Sequence, residues 1–487
     1  KRLLKLRAGY GPQAEGQHYY ILLFDLLEAQ PQFEEKSFKR KYAHLTWMRY
    51  YAQVKVYLYE AILDTVVALQ QEKDAVMLTT SYLQRVHVLR ERGLHRQAML
   101  FLDKAHDLAQ EADLQQFMPQ IHYLKMVMHT YYFPTAADVQ TQEQLLMARS
   151  QEATEALHCG LAYMEEYFLY YRLFTYIDMR HVERTELHRA ELEEKLRQFE
   201  QEQMRMEACP SVSLRLLRWK NESIIKNLLH GGAQGRYSLQ SLRLLEQQPK
   251  FILHRPHFYV TALYNACSEA LAFGDVDTAR DCVTRFEQAG QLYGKKAHFN
   301  MLEHRLRSII MQLTLHIGEE TYTQGLAFYE SQIAWLAGNK KEALQRLRLT
   351  LQFVVGTLYF WLGKESAALK SWSPFFRSTP VPSVVQMQQH ARLLRLLFLW
   401  QRGDWAGLEI EARGTRFFLK KIGEWDTFSQ ILFRFVRRCC QLPSRMLRAL
   451  ACFRRELEAL PKGNPAFYLF NYLHWARLQR ERLRSDE

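Results

Sequence analysis

The chain is 487 residues long, 48% hydrophobic and 24% charged, with a formal net charge of +13. That balance excludes a disordered or collagen-like chain and gives ample length for a large core. The 13 prolines and 21 glycines fall well below the roughly 12% combined share of average proteins, so long helices joined by short turns are expected.

His18 to Gln30 reads as an aromatic-rich helix broken by Pro31, and Phe33 to His44 as a second, charged one. Leu45 to Gln70 follows as a third, of about seven turns. Val54, Tyr57, Leu58, Ala61, Ile62, Thr65 and Leu69 form its apolar stripe. Val76 to Ala112 holds the first clear hairpin, with Ala98, Leu102, Ala105 and Leu108 on the inner face of its second helix. Leu114 to Tyr132 is the next helix, ended by Phe133-Pro134. Residues 1–140 therefore read as N-terminal helical repeats. Gln142 to Glu207 reads as one long helical run, aromatic from Tyr163 to Tyr176 and charged from Arg180 onward, a connector over residues 141–208. Cys209-Pro210-Ser211 closes it. Residues 209–412 carry most of the hairpins, and 413–487 form a basic helical cap. Between Glu411 and Glu487 there are sixteen Lys/Arg against eight Asp/Glu, which is +8 of the total charge.

The hairpin signature is clearest at Gly274-Asp275-Val276-Asp277-Thr278-Ala279. Leu263, Ala266, Ala270 and Leu271 share one helical side before it, and Ala279, Cys282, Val283 and Phe286 share one after it. Gly274 is free to take positive φ and turn the chain. Asp275 or Asp277 can cap the second helix. Ala279 is small enough for the two helices to pack closely. The same spacing joins Gly93 to Ala98, Gly338 to Ala343 and Gly363 to Ala368, and Gly403 with Leu408 is a weaker copy. The expected fold is all-α: a right-handed solenoid of antiparallel helix hairpins, each contacting its neighbours, with a concave groove along the stack.

These hairpins resemble the tetratricopeptide repeat, most closely at Gly356-Tyr359-Gly363-Ala368 and around Gly93-Ala98-Ala105. Glycine-to-glycine intervals of 25 residues (338 to 363) and 40 (363 to 403) depart from the regular period of about 34. The whole chain also looks like a family of uncharacterised bacterial proteins with degenerate tetratricopeptide repeats. Phe24-Asp25, the stretch from Lys55 to Leu63, and Trp475 near the C-terminus carry that likeness. The resemblance implies a helical-repeat architecture and supplies no activity.

Chemical motifs are weak. His181 and His188, with Glu183 and Glu186 between them, lie about 10 Å apart on a helix, too far for one metal ion. His254 and His257 straddle Pro256. Cys439-Cys440 follows Arg437-Arg438, and nearby cations can activate a thiol, but buried helix cysteines are the plainer reading. Gly231, Gly232 and Gly235 do not follow a strand, so no phosphate loop is expected. Glu193-Glu194 sit among opposite charges. The seven cysteines (159, 209, 267, 282, 439, 440 and 452) lack a Cys-x-x-Cys pair, so reduced thiols in a cytoplasmic protein are expected. No apolar run reaches the roughly 18 residues of a membrane span. Lys1 to Arg7 is basic, with no apolar stretch after it, so a signal peptide is not expected.

The expectation is a non-catalytic interaction scaffold without cofactor or metal. Its groove would take a protein partner, as a peptide or a helix. Arg437, Arg438, Arg477, Arg480 and Arg484 are the candidate anchors for an acidic surface. The alternative is an RNA- or DNA-associated repeat protein, with Phe433, Phe435, Phe453, Phe467, Tyr468, Tyr472 and Trp475 stacking on bases between the basic residues.

Overall fold

A computed structural model describes residues 19–30, 33–70, 74–129, 139–178, 186–202, 211–230, 237–295, 299–339, 344–376, 384–421, 425–441, 445–460 and 466–485. Among these the chain is all-helical, with no strand. No described helix is long and apolar enough to cross a membrane. The chain divides into two compact units, residues 1–109 with 127–133, and residues 110–126 with 134–487.

In the first unit, Tyr19–Glu28 packs on Tyr51–Gln70. Leu23, Phe38, Trp47, Val54 and Leu58 form the core between them. The expected third helix begins later than Leu45, because Thr46–Tyr50 is a tight 3-10 turn. Its expected stripe is also too wide. Val54, Leu58 and Thr65 are buried, but Tyr57 is 61% exposed and Leu69 45%. A helix leaning on one short partner covers only the narrow row at spacings of three and four. The hairpin Ala75–Glu91 and His95–Glu111 follows. Asp74 caps its first helix by accepting from the Met77 N–H at 2.6 Å. Ala98, Leu102, Ala105 and Ala109 are fully buried on its second.

In the second unit the expected single run from Gln142 to Glu207 is two helices, Val139–Asp178 and Glu186–Gln201. Leu173 and Phe199 share one core with Ile225 of the helix Val212–His230, so the two helices lie side by side, reversing the expected straight run. Both helices pack on Val212–His230. The sequence hides this reversal because its charged second half carries no glycine or proline.

The hairpins come next. Pro256–Ala272 pairs with Val276–Tyr293, Met301–Gly318 with Tyr322–Gly338, Gln345–Trp361 with Glu365–Trp372, and Val385–Gln401 with Trp405–Lys421. The first helix of each pair also packs on the first helix of the next. Gly93, Gly274, Gly363 and Gly403 all have φ between +67° and +75°. In each turn the N–H after the glycine returns to the carbonyl five residues before it: Leu94 to Leu89, Asp275 to Ala270, Lys364 to Tyr359 and Asp404 to Leu399. This is the Schellman helix ending. Ala98, Ala279, Ala368 and Leu408 are all fully buried.

Gly338 is different. It remains inside its helix without left-handed φ, and Ala343 lies outside the described residues. The turn that belongs to this series is at Glu320, which takes φ +61° without being glycine. Thr321 N–H returns to the His316 carbonyl there in the same pattern. Five residues on stands Gly325, where an added Cβ would lie 2.9 Å from the His316 side chain. With Glu320 included, the left-handed turns at 274, 320, 363 and 403 recur at intervals of 46, 43 and 40 residues.

Asp275 is the cap, accepting from the Thr278 N–H at 3.2 Å. Asp275→Ala is expected to cost about 1 kcal/mol, read as a lowered urea midpoint at unchanged slope. A larger effect is expected at Gly356. A Cβ there would stand 2.2 Å from Nε1 of the buried Trp372, whose indole N–H donates to the Phe353 carbonyl at 3.1 Å. Gly356→Ala must displace that ring and is expected to destabilise by about 1–3 kcal/mol, checked by thermal melting.

The last helices, Thr427–Gln441, Met446–Glu458 and Tyr472–Ser485, share one core with residues from Phe353 onward. The short helix Ala466–Leu469 packs against both Pro256–Ala272 and Val385–Gln401. Contacts in this unit therefore reach beyond neighbouring hairpins, against expectation, because the apolar C-terminal segment crosses the inner helices.

Candidate functional site

The first helices of three successive hairpins, Pro256–Ala272, Met301–Gly318 and Gln345–Trp361, line a cleft of about 800 Å³. Their facing side chains include Tyr264, Ile310, Thr314, Leu347 and Val354. Tyr170, Lys220, Phe467, Leu469, Phe470 and His474 line it as well. Phe470 stacks on Trp361 with ring centres 4.8 Å apart and planes 8° apart. His474 Nδ1 lies 3.1 Å from Glu320 Oε1 and 3.0 Å from the Arg477 guanidinium. The one ring nitrogen can donate to the carboxylate or accept from the arginine, but not both at once. Burial lowers the His474 pKa, Glu320 opposes that shift, and Arg477 adds to it.

The cleft carries five charged side chains besides His474. Arg307 donates twice to Glu303 Oε1, at 2.7 and 3.0 Å, and its guanidinium carbon stands 5.0 Å from the Tyr264 ring centre. Glu320 faces His474. Lys220 Nζ stands 4.1 Å from the Tyr170 ring centre. Lys220 and Arg346 form no ion pair among the described residues. Cys267 also reaches the cleft, but burial pushes its thiol up to about 12, with Cys282 adding to the shift. It is held as the neutral thiol and is no nucleophile.

The five anchor arginines differ in their surroundings. Arg438 donates to Glu456 Oε1 at 2.7 Å, while Arg434 holds the other carboxylate oxygen. Burial alone would raise the Glu456 pKa, but these two arginines outweigh it and hold it low. Arg477 lies 3.0 Å from His474 Nδ1, the nitrogen that also faces Glu320. Arg437 and Arg484 are exposed, and Arg480 is half-buried. Of the aromatics between them, Phe433 and Phe467 are half-buried, and Phe435, Phe453, Tyr472 and Trp475 are buried. Phe435, Phe453 and Trp475 pack on one another, with Phe435 and Phe453 stacked at 4.6 Å, while Tyr472 lies against Phe428 and Phe470. The Tyr468 side chain lies outside the described residues.

Other candidates separate as well. His254 ends one helix and His257 sits in the next, with Arg255 between them as the break. His254 Nε2 faces Glu111 at 3.4 Å, and the His257 ring lies against Phe258. Cys439 accepts from the Trp400 indole at 3.2 Å, and burial pushes its thiol up to about 11, despite Arg438. Cys440 is pushed up too. Glu194 pairs with Arg197 at 2.8 Å on an exposed face, and Glu193 is likewise engaged. His181, Glu183, Cys209, Gly231, Gly232 and Gly235 lie outside the described residues, as do the side chains of Glu186 and His188.

No family, no curated protein and no solved structure matches the chain. The cleft escaped sequence reading because its walls come from segments about 300 residues apart, each an ordinary amphipathic helix.

Proposed function

We propose that the protein is a non-catalytic interaction scaffold that takes a segment of a protein partner in the cleft between its hairpins. In this reading the pairs from Pro256 to Lys421 form a right-handed, tetratricopeptide-like array, and the protein works in the cytoplasm. The observation that carries it is the 800 Å³ cleft along the first helices of three consecutive pairs. Repeat proteins present partner grooves on such a layer. The exposed Arg437 and Arg484, with Arg480, supply a secondary contact to an acidic surface.

The test is purification from the source, followed by mass spectrometry of what stays attached. Asn265 is exposed and lines the cleft, so Asn265→Trp fills it at little cost to folding. Partners held by the wild type and missing from this variant support the reading; an identical set from both overturns it. Nucleic acid held by the wild type and released steeply by salt would favour the nucleic-acid alternative instead.

A further inference from the structure

We infer that the cleft selects a partner segment mixing acidic and aliphatic side chains, with its carboxylates set against Lys220 and Arg346. The inference rests on the groove reading and names the chemistry of its ligand. Charge balance leads to it. Of the two carboxylates lining the cleft, Glu303 is engaged by Arg307, and Glu320 lies 3.1 Å from His474 Nδ1. Two of the three cations, Lys220 and Arg346, have no carboxylate among the described residues. Arg346 also sits in the first turn of its helix, where a cation opposes the helix dipole and contributes nothing to helix stability. Ile310, Ile317, Leu347 and Val354 supply the apolar wall between the charges.

Three hydroxyls on the cleft's helices favour a peptide over an amphiphilic small acid. Ser268 donates to the Tyr264 carbonyl, Thr314 to Ile310 and Thr350 to Arg346, at 3.2, 2.7 and 3.1 Å. Each hydroxyl has spent its proton on its own helix and offers only lone pairs to a ligand. A peptide backbone brings N–H donors to those oxygens. A fatty acid brings none.

The experiment is fluorescence anisotropy of the full chain with two labelled ten-residue peptides, one of Glu, Leu and Ser, the other with Lys at every Glu position. The acidic peptide is expected to bind saturably and the basic one not. Lys220→Glu with Arg346→Glu should weaken the acidic peptide by more than about tenfold. Equal binding of both peptides, abolished by Asn265→Trp, would overturn the acid preference and leave the groove reading standing. Binding of neither peptide, with an unchanged partner set for Asn265→Trp, would overturn both. Binding of a dansyl-labelled fatty acid in place of either peptide would overturn the inference in favour of a lipid. Circular dichroism of each variant confirms the fold, and Ser268→Trp serves as a second cleft-filling change.

Discussion

Arg218→Ala is expected to destabilise the second unit by about 3–5 kcal/mol. Arg218 and Glu166 meet as a buried ion pair, each side chain only 7% exposed. Arg218 also donates to Glu202 at 2.9 Å and lies over the Phe199 ring at 3.4 Å. Asn221 donates to the second oxygen of Glu166 at 2.7 Å and to its carbonyl at 2.8 Å. This node joins Val139–Asp178 to Val212–His230, two helices far apart in sequence. Removing the guanidinium leaves a carboxylate in an apolar site with one neutral partner. The paired change Glu166→Gln with Arg218→Met removes both charges and should recover most of the loss. Urea denaturation of the three proteins measures this, and equal stability of Arg218→Ala and wild type would refute it.

The second large effect is acid destabilisation through His390. This side chain is buried, stacked on Phe428, and bonded to the Tyr472 hydroxyl at 2.8 Å. Burial pushes its pKa down to about 3, against about 6.5 for an unfolded histidine. The folded state thus prefers the neutral ring, and the unfolded state takes the proton first. The stability contribution is complete above pH 6.5 and is lost as pH falls towards 3, at about 1.4 kcal/mol per unit. Roughly 2–3 kcal/mol should be gone by pH 4.5. Tyr472 stays protonated throughout, because burial and Asp426 push its phenol well above the usual range. His390→Leu should flatten the fall between pH 6.5 and 4.5 by one proton's worth. Parallel stability curves for variant and wild type would rule the residue out as the source.

The turns were legible wherever glycine marks them. A residue at positive φ followed five positions later by a small buried one is a local rule; the sequence states it at Gly93, Gly274 and Gly363, and at Gly403 with the larger Leu408 in the small residue's place. It failed at Gly338, which ends its helix without taking left-handed φ. It also failed at Glu320, where the order is reversed. There the acidic side chain tolerates the left-handed turn, and Gly325 provides the close approach. The cleft was not legible, because no residue in it is unusual by itself. The buried pair Glu166–Arg218 carries no sequence signal either, for the same reason. Helical spacing tells which face a residue shares but not which distant helix covers it. Phe435, Phe453, Tyr472 and Trp475, read as possible base-stacking residues, are buried instead, on the apolar faces of their helices.

Ala466–Leu469 has one more effect, on how the second unit comes apart. A linear array can fray from either end, each pair melting with its own free energy. Here a peptide near the end of the chain is pinned to a helix about 200 residues earlier, and the next residue, Phe470, stacks on Trp361. Pulling on that terminus loads the first pair as well as the last. Amide exchange in Pro256–Ala272 and Val385–Gln401 should therefore slow together, as one cooperative block, instead of grading along the sequence.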